Sequence, residues 1–436
     1  MRKHFFCAKN IEDYRKVYRT IMEKEKSSDE TQEDFDQRFF LSHVKGLFKV
    51  PQEVIDSKIY GETNIDGLRL DFNFGLRLDV PEGNFHVVIS DADTDEIFFD
   101  KYISGGRLLS VEQYFIRWRV EIFLDDSKVF EHTLNLEGQK VLLAFRQSAM
   151  GDLIALLPFA REFKRRHHCE LSICLPDYMC EFVAHLYPDF PQVDKINFKT
   201  YATYYPEMMM ADCLTVPMDI RNMPMERAGG AILKLETLPA KPIFKPITPP
   251  VTSEPYVCIG VQASSARKTW LYPKGWDIVV DYLKSLGYRV FCIDKKAEET
   301  SDGMTICKPD GAEDFTGDFS IMERANMLYN AEFFVGLSSG LAWVANAVDC
   351  PVVMICGFTQ DWFEFYTPYR VANRLVCNGC LTDVRVNFIG KVICPYHNGT
   401  ARELECQKKI HPRQVINAIE RLIIDRNLTP PIFNAR

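Results

Sequence analysis

The sequence contains no uninterrupted apolar run that approaches the ~20 residues required for a membrane-spanning helix. Residues 1–7 are not followed by an apolar segment, because charge returns at Lys9 and Glu12, so no secretory signal is predicted. A basic surplus is also missing: 52 Lys and Arg against 60 Asp and Glu give a formal net charge of −8, which argues against a nucleic-acid groove. These absences predict a cytoplasmic protein with no membrane span and no nucleic-acid partner.

Cysteine pairs at regular spacing, the mark of a disulfide framework, are missing from most of the chain. Of the 14 cysteines, four are crowded into residues 377–406 and the others are scattered, several of them in apolar runs. Isolated cysteines of this kind behave as small buried hydrophobic residues in a reducing compartment. The scattered residues are Cys7, Cys169, Cys174, Cys180, Cys213, Cys258, Cys292, Cys307, Cys350 and Cys356.

Four segments differ in their hydrophobic pattern, in keeping with the two or three domains expected for 436 residues. Residues 1–50 form an N-terminal arm with one possible amphipathic helix around Ile11–Met22. Residues 58–138 contain short alternating strands separated by turns, which predicts a small antiparallel, β-barrel-like domain. Residues 139–250 and 251–436 each alternate apolar strands with helices, which predicts two α/β lobes, joined by the proline-rich stretch 239–255.

The first candidate for chemistry is Asp152, in a loop that follows the apolar strand 141–145. Ligands of open α/β sheets bind at the carboxyl ends of strands. We expect Asp152 to lie in the first turn of the next helix, where the helix dipole favours the carboxylate that a general base needs. An ordinary helix cap explains the same residue, so this alternative stays open.

Two further loops follow strands of the second lobe. Lys268 would place a positive charge on a diphosphate without a divalent metal, although a lysine in a loop is more often only solvated. Ser339, Gly340 and Leu341 would offer free backbone N–H groups to the same diphosphate. A tight turn with Ser339 as a helix N-cap explains that segment equally well. The functional interpretation depends on all three loops meeting in one cleft.

The four crowded cysteines predict a metal site. Cys377 and Cys380 form a C-x2-C pair, and the single residues Cys394 and Cys406 complete a set of four thiolates, which selects zinc or iron. Such a closed site holds a loop in place and does not perform chemistry. Free buried thiols and a redox function are the alternatives, and His397 is a less favoured substitute ligand.

Together these residues resemble the bacterial autotransporter heptosyltransferases, relatives of the lipopolysaccharide heptosyltransferases. The resemblance covers about residues 60–425 and rests on the Ser-Ala-Met-Gly-Asp loop (148–152), the Arg-Lys-Thr-Trp loop (267–270), the Ser-Ser-Gly-Leu turn (338–341), the segment 365–370 and the four-cysteine finger. It implies two Rossmann-like lobes of the GT-B type. It also implies transfer of heptose from ADP-heptose to hydroxyl side chains, mainly serine, of an autotransporter adhesin, with iron in the finger and a large homo-oligomer.

The resemblance also implies roles for single residues. Asp152 matches the catalytic base, Lys268 matches the lysine that binds the donor phosphate, and the diphosphate turn corresponds to Ser339, Gly340 and Leu341. Iron would be held by Cys377, Cys380, Cys394 and Cys406.

The sequence departs from the related lipopolysaccharide enzymes at two places. Those enzymes have Asp-(Thr/Ser)-Gly followed by a histidine, whereas here Ser338 and Trp343 occupy the Asp and His positions. Phosphate contacts in this turn must therefore come mostly from the backbone. Two alternative functions stay open: a lipopolysaccharide core heptosyltransferase and a non-catalytic carbohydrate-binding scaffold.

Overall fold

The sheets change from antiparallel to parallel along the chain, at about residue 139. The computed structural model describes residues 5–7, 16, 31, 52–110, 112–146, 149–208, 218–386 and 393–434. The change follows the side chains: strands with alternating polar residues are solvated on one face, and wholly apolar strands are covered on both. The amphipathic helix predicted around Ile11–Met22 lies outside the described residues, apart from Lys16.

The antiparallel region contains two four-stranded sheets. Its elements are β1 (Phe5–Cys7), α1 (Gln52–Asp56), β2 (Arg69–Asp71), β3 (Arg77–Val80), β4 (Phe85–Asp91), β5 (Ile97–Ile103), β6 (Gly106–Ser110), β7 (Trp118–Leu124) and β8 (Ser127–Thr133). One sheet has the order β1-β6-β3-β2 and the other has the order β5-β4-β7-β8. Within the described residues no hydrogen-bonded ladder joins the two, so the region is a pair of sheets where the sequence predicted a barrel-like domain. Closure depends on long-range strand pairing, which the number and spacing of strands do not reveal.

The alternation of side chains places the core of the second antiparallel sheet on one face. Val87 and Ile89 in β4 are fully buried and lie opposite Ile122 and Val120 in β7. Trp118, at the start of β7, is also buried and forms a T-shaped contact with the Phe5 ring from β1, with 5.7 Å between ring centroids. The start of the predicted N-terminal arm is therefore part of this β region.

The first α/β lobe has a three-stranded parallel sheet. Its elements are β9 (Lys140–Ala144), α2 (Met150–Leu156), α3 (Pro158–His167), β10 (Glu170–Cys174), α4 (Asp177–Leu186), β11 (Ala202–Tyr204), a 3-10 turn (Ile220–Asn222) and α5 (Met225–Leu233). The sheet order is β10-β9-β11, so the first strand is central. The sequence predicts a helix from Gly151 to His167 with a kink at Pro158, and the structure has two helices that meet there, because proline cannot donate the N–H that a continuous helix requires.

The second α/β lobe has a six-stranded parallel sheet and a hairpin inserted beside it. Its elements are β12 (Tyr256–Gly260), a 3-10 turn (Ala266–Lys268), α6 (Gly275–Ser285), β13 (Arg289–Cys292), β14 (Glu298–Ser301), β15 (Met304–Cys307), β16 (Glu313–Asp314), α7 (Ile321–Asn330), β17 (Phe334–Leu337), α8 (Gly340–Ala347), β18 (Val352–Ile355), β19 (Arg370–Val371), a 3-10 turn (Cys380–Thr382), α9 (Glu405–Lys408), α10 (Pro412–Asp425) and α11 (Pro431–Asn434). The order β16-β13-β12-β17-β18-β19 is the 3-2-1-4-5-6 order of a Rossmann sheet. None of the described helices has the length and apolar character needed to cross a membrane.

The two lobes meet where α2 packs against α8. Two glycines permit this approach: a Cβ on Gly151 would lie 2.6 Å from Cδ1 of Trp343, and a Cβ on Gly340 would lie 3.0 Å from Cβ and Sδ of Met150. The N-terminal turns of both helices therefore come close together. Residues 239–255 contain no helix or strand, as their six prolines predicted.

Candidate functional site

A cavity of about 870 Å³ lies between the two lobes. It is bordered by the loops that follow the central strands, β9 in the first lobe and β12 and β17 in the second. In the second lobe this is the point where the strand order reverses, which is the usual ligand site of an open α/β sheet. The five residues predicted to carry the chemistry all line the cavity: Asp152, Lys268, Ser339, Gly340 and Leu341.

Asp152 lies in the first turn of α2, which begins at Met150 after Ala149, so it is not the N-cap residue. Burial raises the pKa of Asp152 to about 6, and the positive charge of Lys268 partly opposes this increase. The sequence predicted an ionised carboxylate from the helix dipole alone. The carboxylate is still the major form at pH 7, but removal of water outweighs the favourable charges and brings its pKa close to neutrality.

Lys268 ends the 3-10 turn Ala266–Lys268, in the loop after β12. The β14–β15 hairpin holds the start of this turn, because Asp302 accepts hydrogen bonds from Ser265 Oγ at 2.8 Å and from the Ala266 backbone N–H at 2.9 Å. These two bonds also lower the pKa of Asp302. The hydrophobic pattern of residues 298–307 did not predict this hairpin.

Ser339 occupies the N-cap position of α8, yet its side chain makes no capping hydrogen bond. Among the described residues no partner reaches its buried Oγ atom. The first backbone N–H groups of a helix have no partner within the helix, and they form a site for an anion when no side chain caps them. The structure therefore disfavours the simple cap and leaves these donors facing the cavity.

A buried carboxylate that sequence reasoning missed lies beside this turn. Glu364 lines the cavity, accepts a hydrogen bond from the Ser338 hydroxyl and another from Thr359 Oγ1 at 2.7 Å, and forms an ion pair with Arg370 at 2.6 Å. Glu364 therefore brings a carboxylate to this turn from a different part of the chain. Nothing in the local sequence predicts a contact between residues 26 positions apart.

Asp294 is a second missed residue of the cavity wall. It follows β13, is 2% exposed, and accepts hydrogen bonds from the backbone N–H groups of Val261 at 2.7 Å and Gln262 at 3.3 Å. Burial raises the pKa of Asp294 to about 6. An acidic residue at the end of the second strand of a βαβ unit is a recognisable signal. Here the carboxylate fixes the beginning of the loop that carries Lys268.

The four crowded cysteines line a second, much smaller cavity, together with His397 and Glu405. Burial raises the pKa of the Cys380 and Cys406 thiols to about 12, and the neighbouring cysteines add to this increase. The donor chemistry fits a metal because four thiols face one space. However, the described side chains form no group of three or more His, Cys, Asp or Glu placed to hold a metal ion. The predicted four-cysteine metal finger is therefore not confirmed, and residues 387–392 within it lie outside the described part.

All cysteines whose side chains the structure describes are free thiols. Most of the scattered ones lie in or near the cores of the two lobes, and Cys307 in β15 is exposed. The burial of most of these side chains agrees with the expectation that they behave as small hydrophobic residues.

Two family models match separate parts of the chain. The model of the N-terminal domain of the glycosyltransferase TibC matches residues 65–126, within the antiparallel region. The model of glycosyltransferase family 9 (heptosyltransferase) matches residues 227–386, which include Lys268 and the turn at Ser339.

Known proteins resemble the chain over most of its length. The autotransporter heptosyltransferase BAHTCr of Citrobacter rodentium is 40% identical over 367 residues, which are 82% of this chain and 89% of the relative. The crystal structure of the iron-containing dodecameric glycosyltransferase TibC from enterotoxigenic E. coli H10407 is 36% identical, with a TM-score of 0.81, over 86% of this chain and 99% of that chain. A second TibC structure, in complex with ADP-D-beta-D-heptose, has a TM-score of 0.80 at 36% identity and covers 85% and 98% of the two chains. The chain therefore belongs to the autotransporter heptosyltransferase family.

Proposed function

We propose that the protein transfers heptose from ADP-heptose to serine hydroxyls of an autotransporter adhesin. The observation that carries this proposal is the meeting of Asp152 from one lobe with Lys268 and the uncapped turn at Ser339 from the other, in one cavity. The cavity joins a carboxylate that titrates near neutrality to a cation and a set of backbone donors. The ADP-heptose bound by TibC supports the choice of donor.

The reaction divides between the two walls of the cavity. Asp152 takes the proton of the serine hydroxyl while the oxygen bonds to the anomeric carbon of heptose, and a positioned general base contributes about 10²–10⁴-fold to rate. The bond from that carbon to the diphosphate breaks through an oxocarbenium-like state, and negative charge grows on the leaving ADP. Lys268 and the backbone N–H groups of Ser339, Gly340 and Leu341 stabilise this charge.

We also propose that Cys377, Cys380, Cys394 and Cys406 hold one iron ion as a structural group. Support comes from the shared cavity of the four thiols and from the iron in TibC. Four thiolates also accept zinc. When bound, the metal would tie three separate places in the chain together: the turn with Cys377 and Cys380, the position of Cys394, and the position of Cys406. It takes no part in sugar transfer.

Our proposal for the whole molecule has four units: the arm 1–50, the β region 58–138, a first Rossmann-like lobe 139–250 and a second one 251–436, which includes the finger 377–406. The two lobes form a GT-B arrangement. The free thiols support a cytoplasmic location. The dodecamer of TibC supports a large homo-oligomer.

The test is co-expression of the protein with an autotransporter adhesin, followed by intact-mass analysis of the adhesin. We expect added mass in increments of one heptose, and none with Asp152→Asn. In parallel, ADP release is measured with the purified protein, ADP-heptose and either an adhesin fragment or a lipopolysaccharide core acceptor. Release with only the lipid acceptor would overturn the acceptor assignment, and release with neither would support the scaffold alternative.

The metal proposal has a separate test. Metal analysis of the purified protein is expected to find about one iron per chain, in line with four-thiolate coordination. A Cys380→Ser/Cys406→Ser variant should lose the metal and unfold at a lower temperature. Equal metal content in the variant and the parent protein would exclude these cysteines as ligands.

A further inference from the structure

The loop that carries Lys268 is joined to the segment after the cysteines by a row of hydrogen bonds. Gln407 Nε2 donates to the Arg267 carbonyl oxygen at 2.5 Å, and the Leu271 N–H donates to the Gln407 carbonyl oxygen at 3.3 Å. Trp270 Nε1 donates to the Ile410 carbonyl oxygen at 2.9 Å. Three bonds thus fix the chain on both sides of Lys268 to residues 407–410.

The side-chain amide of Gln407 is buried and only partly hydrogen-bonded, which is unusual for a residue with only a structural role. Its side chain is fully buried, and among the described residues no donor reaches Oε1. A buried polar atom without a partner destabilises a protein, so Oε1 opposes folding at this position. The contact that the amide does make is to the carbonyl immediately before Lys268.

The other end of this contact is the cysteine segment. Gln407 follows Cys406 in α9, and the neighbouring Glu405 accepts a hydrogen bond from the Cys377 backbone N–H at 3.2 Å. Glu405 is itself paired with Arg402 at 2.6 Å. A Cβ on Gly357 would clash with the Cys406 carbonyl oxygen, so α9 is packed tightly against the turn after β18. A displacement of α9 would therefore move Gln407.

From these contacts we infer that Gln407 is a positioning residue for Lys268 and that it couples the four-cysteine segment to the donor pocket. Its amide holds the Arg267 carbonyl, and so fixes the direction in which the next side chain, Lys268, enters the cavity. The inference rests on the proposed function, because it assumes that Lys268 contacts the donor diphosphate. The inference adds that the position of α9 determines the affinity for the donor and leaves Asp152 unaffected.

The test uses Gln407→Met in the full-length protein, because methionine has a similar length and lacks the N–H donor. We expect the Kd for ADP, measured by calorimetry, to rise about five- to tenfold, as for loss of one hydrogen bond. The kcat at saturating donor should stay within about threefold, and its pH dependence should be unchanged, because Asp152 is not moved. Gln407→Leu provides a second variant if the first does not fold.

The matched control is Asn326→Leu. Asn326 is also a buried amide, but its Oδ1 holds the Ile247 N–H of the interlobe linker at 2.8 Å and its Nδ2 donates to the Met322 carbonyl. This variant should lower thermal stability and leave the Kd for ADP unchanged. Equal weakening of ADP binding by both variants would show a general loss of stability and would overturn the inference.

A double-mutant cycle separates this inference from the proposed function. If Gln407 acts through Lys268, then Gln407→Met should weaken ADP binding in the parent protein and have little further effect in Lys268→Ala. Additive losses, or a parent-like Kd for Gln407→Met, would contradict the coupling alone. An unchanged Kd for Lys268→Ala would instead contradict the proposed function.

Discussion

The first-lobe wall of the cavity presents Asp152, whereas the second-lobe wall presents Lys268 and the uncapped N-terminus of α8. On the first wall one titratable side chain is held in surroundings from which water is largely removed, and its pKa is raised to about 6. On the second wall, the donors are the ammonium group of Lys268 and the backbone N–H groups at the start of α8. Under the proposed function, proton transfer and charge stabilisation therefore belong to separate lobes, and we expect that each can be removed without the other.

The largest expected effect is the loss of turnover in Asp152→Asn. The variant keeps the shape of the side chain but cannot accept the serine proton, so kcat should fall about 10²–10⁴-fold. The Kd for ADP should stay within about twofold, because the second wall is intact. Steady-state kinetics and calorimetry measure the two quantities. Asp177→Asn, an aspartate in the first turn of α4, serves as the control and should be parent-like. A loss of ADP binding as large as the loss of kcat in Asp152→Asn would contradict the division of roles between the two walls.

The second effect is the weakened donor affinity of Lys268→Ala. Loss of a charge-assisted contact to a phosphate should raise the Kd for ADP about 10- to 100-fold. At saturating donor, turnover should fall much less than in Asp152→Asn. Lys284→Ala is the matched control, because the Nζ atom of Lys284 donates to the Gly311 carbonyl and Lys284 does not line the cavity. An unchanged Kd for ADP in Lys268→Ala would show that Lys268 is not part of the donor site.

The contact between the walls is tested by two glycine substitutions. Gly151→Ala places a Cβ 2.6 Å from the buried Trp343 ring, and Gly340→Ala places one 3.0 Å from the flexible Met150 side chain. We expect Gly151→Ala to destabilise the protein by about 1–3 kcal/mol through overpacking, and Gly340→Ala by less. Thermal unfolding of the two variants measures the difference. Equal stability would show that the helices do not approach each other as described.

An effect of similar size is a pH-dependent gain of stability in Asp152→Asn. The pKa of Asp152 rises from 3.8 to about 6 on folding, so the folded protein binds more protons than the unfolded chain between these values. Burial of the carboxylate therefore destabilises the parent protein progressively as the pH rises from about 4 to 6. At pH 7 the variant should be more stable by about 1–3 kcal/mol, and the gain should vanish near pH 4. A gain that is the same at both pH values would contradict the raised pKa.

The residues of the two walls differ in whether they could be predicted from the sequence. Asp152, Lys268 and Ser339 were predictable because each follows an apolar strand, and the carboxyl ends of parallel strands gather at one edge of a sheet. Glu364 and Asp302 were not, because their partners lie 26 and 37 positions away and are brought together only by folding. Two further features could not be predicted from the sequence for a related reason. The separation of the antiparallel region into two sheets depends on pairing, and the raised pKa of Asp152 depends on burial.

The most direct test is the pH dependence of kcat/KM for the parent protein and for Lys268→Ala. In the parent, activity should rise with pH through about 6 as Asp152 loses its proton. Because Lys268 lowers the pKa of Asp152, the inflection should move upward in the variant. Asp294 also has a pKa raised to about 6, but the charge that lowers it is that of Arg324, so the shift is expected for Asp152. An inflection at the same pH in both proteins would contradict a carboxylate and a cation that face each other across one donor pocket.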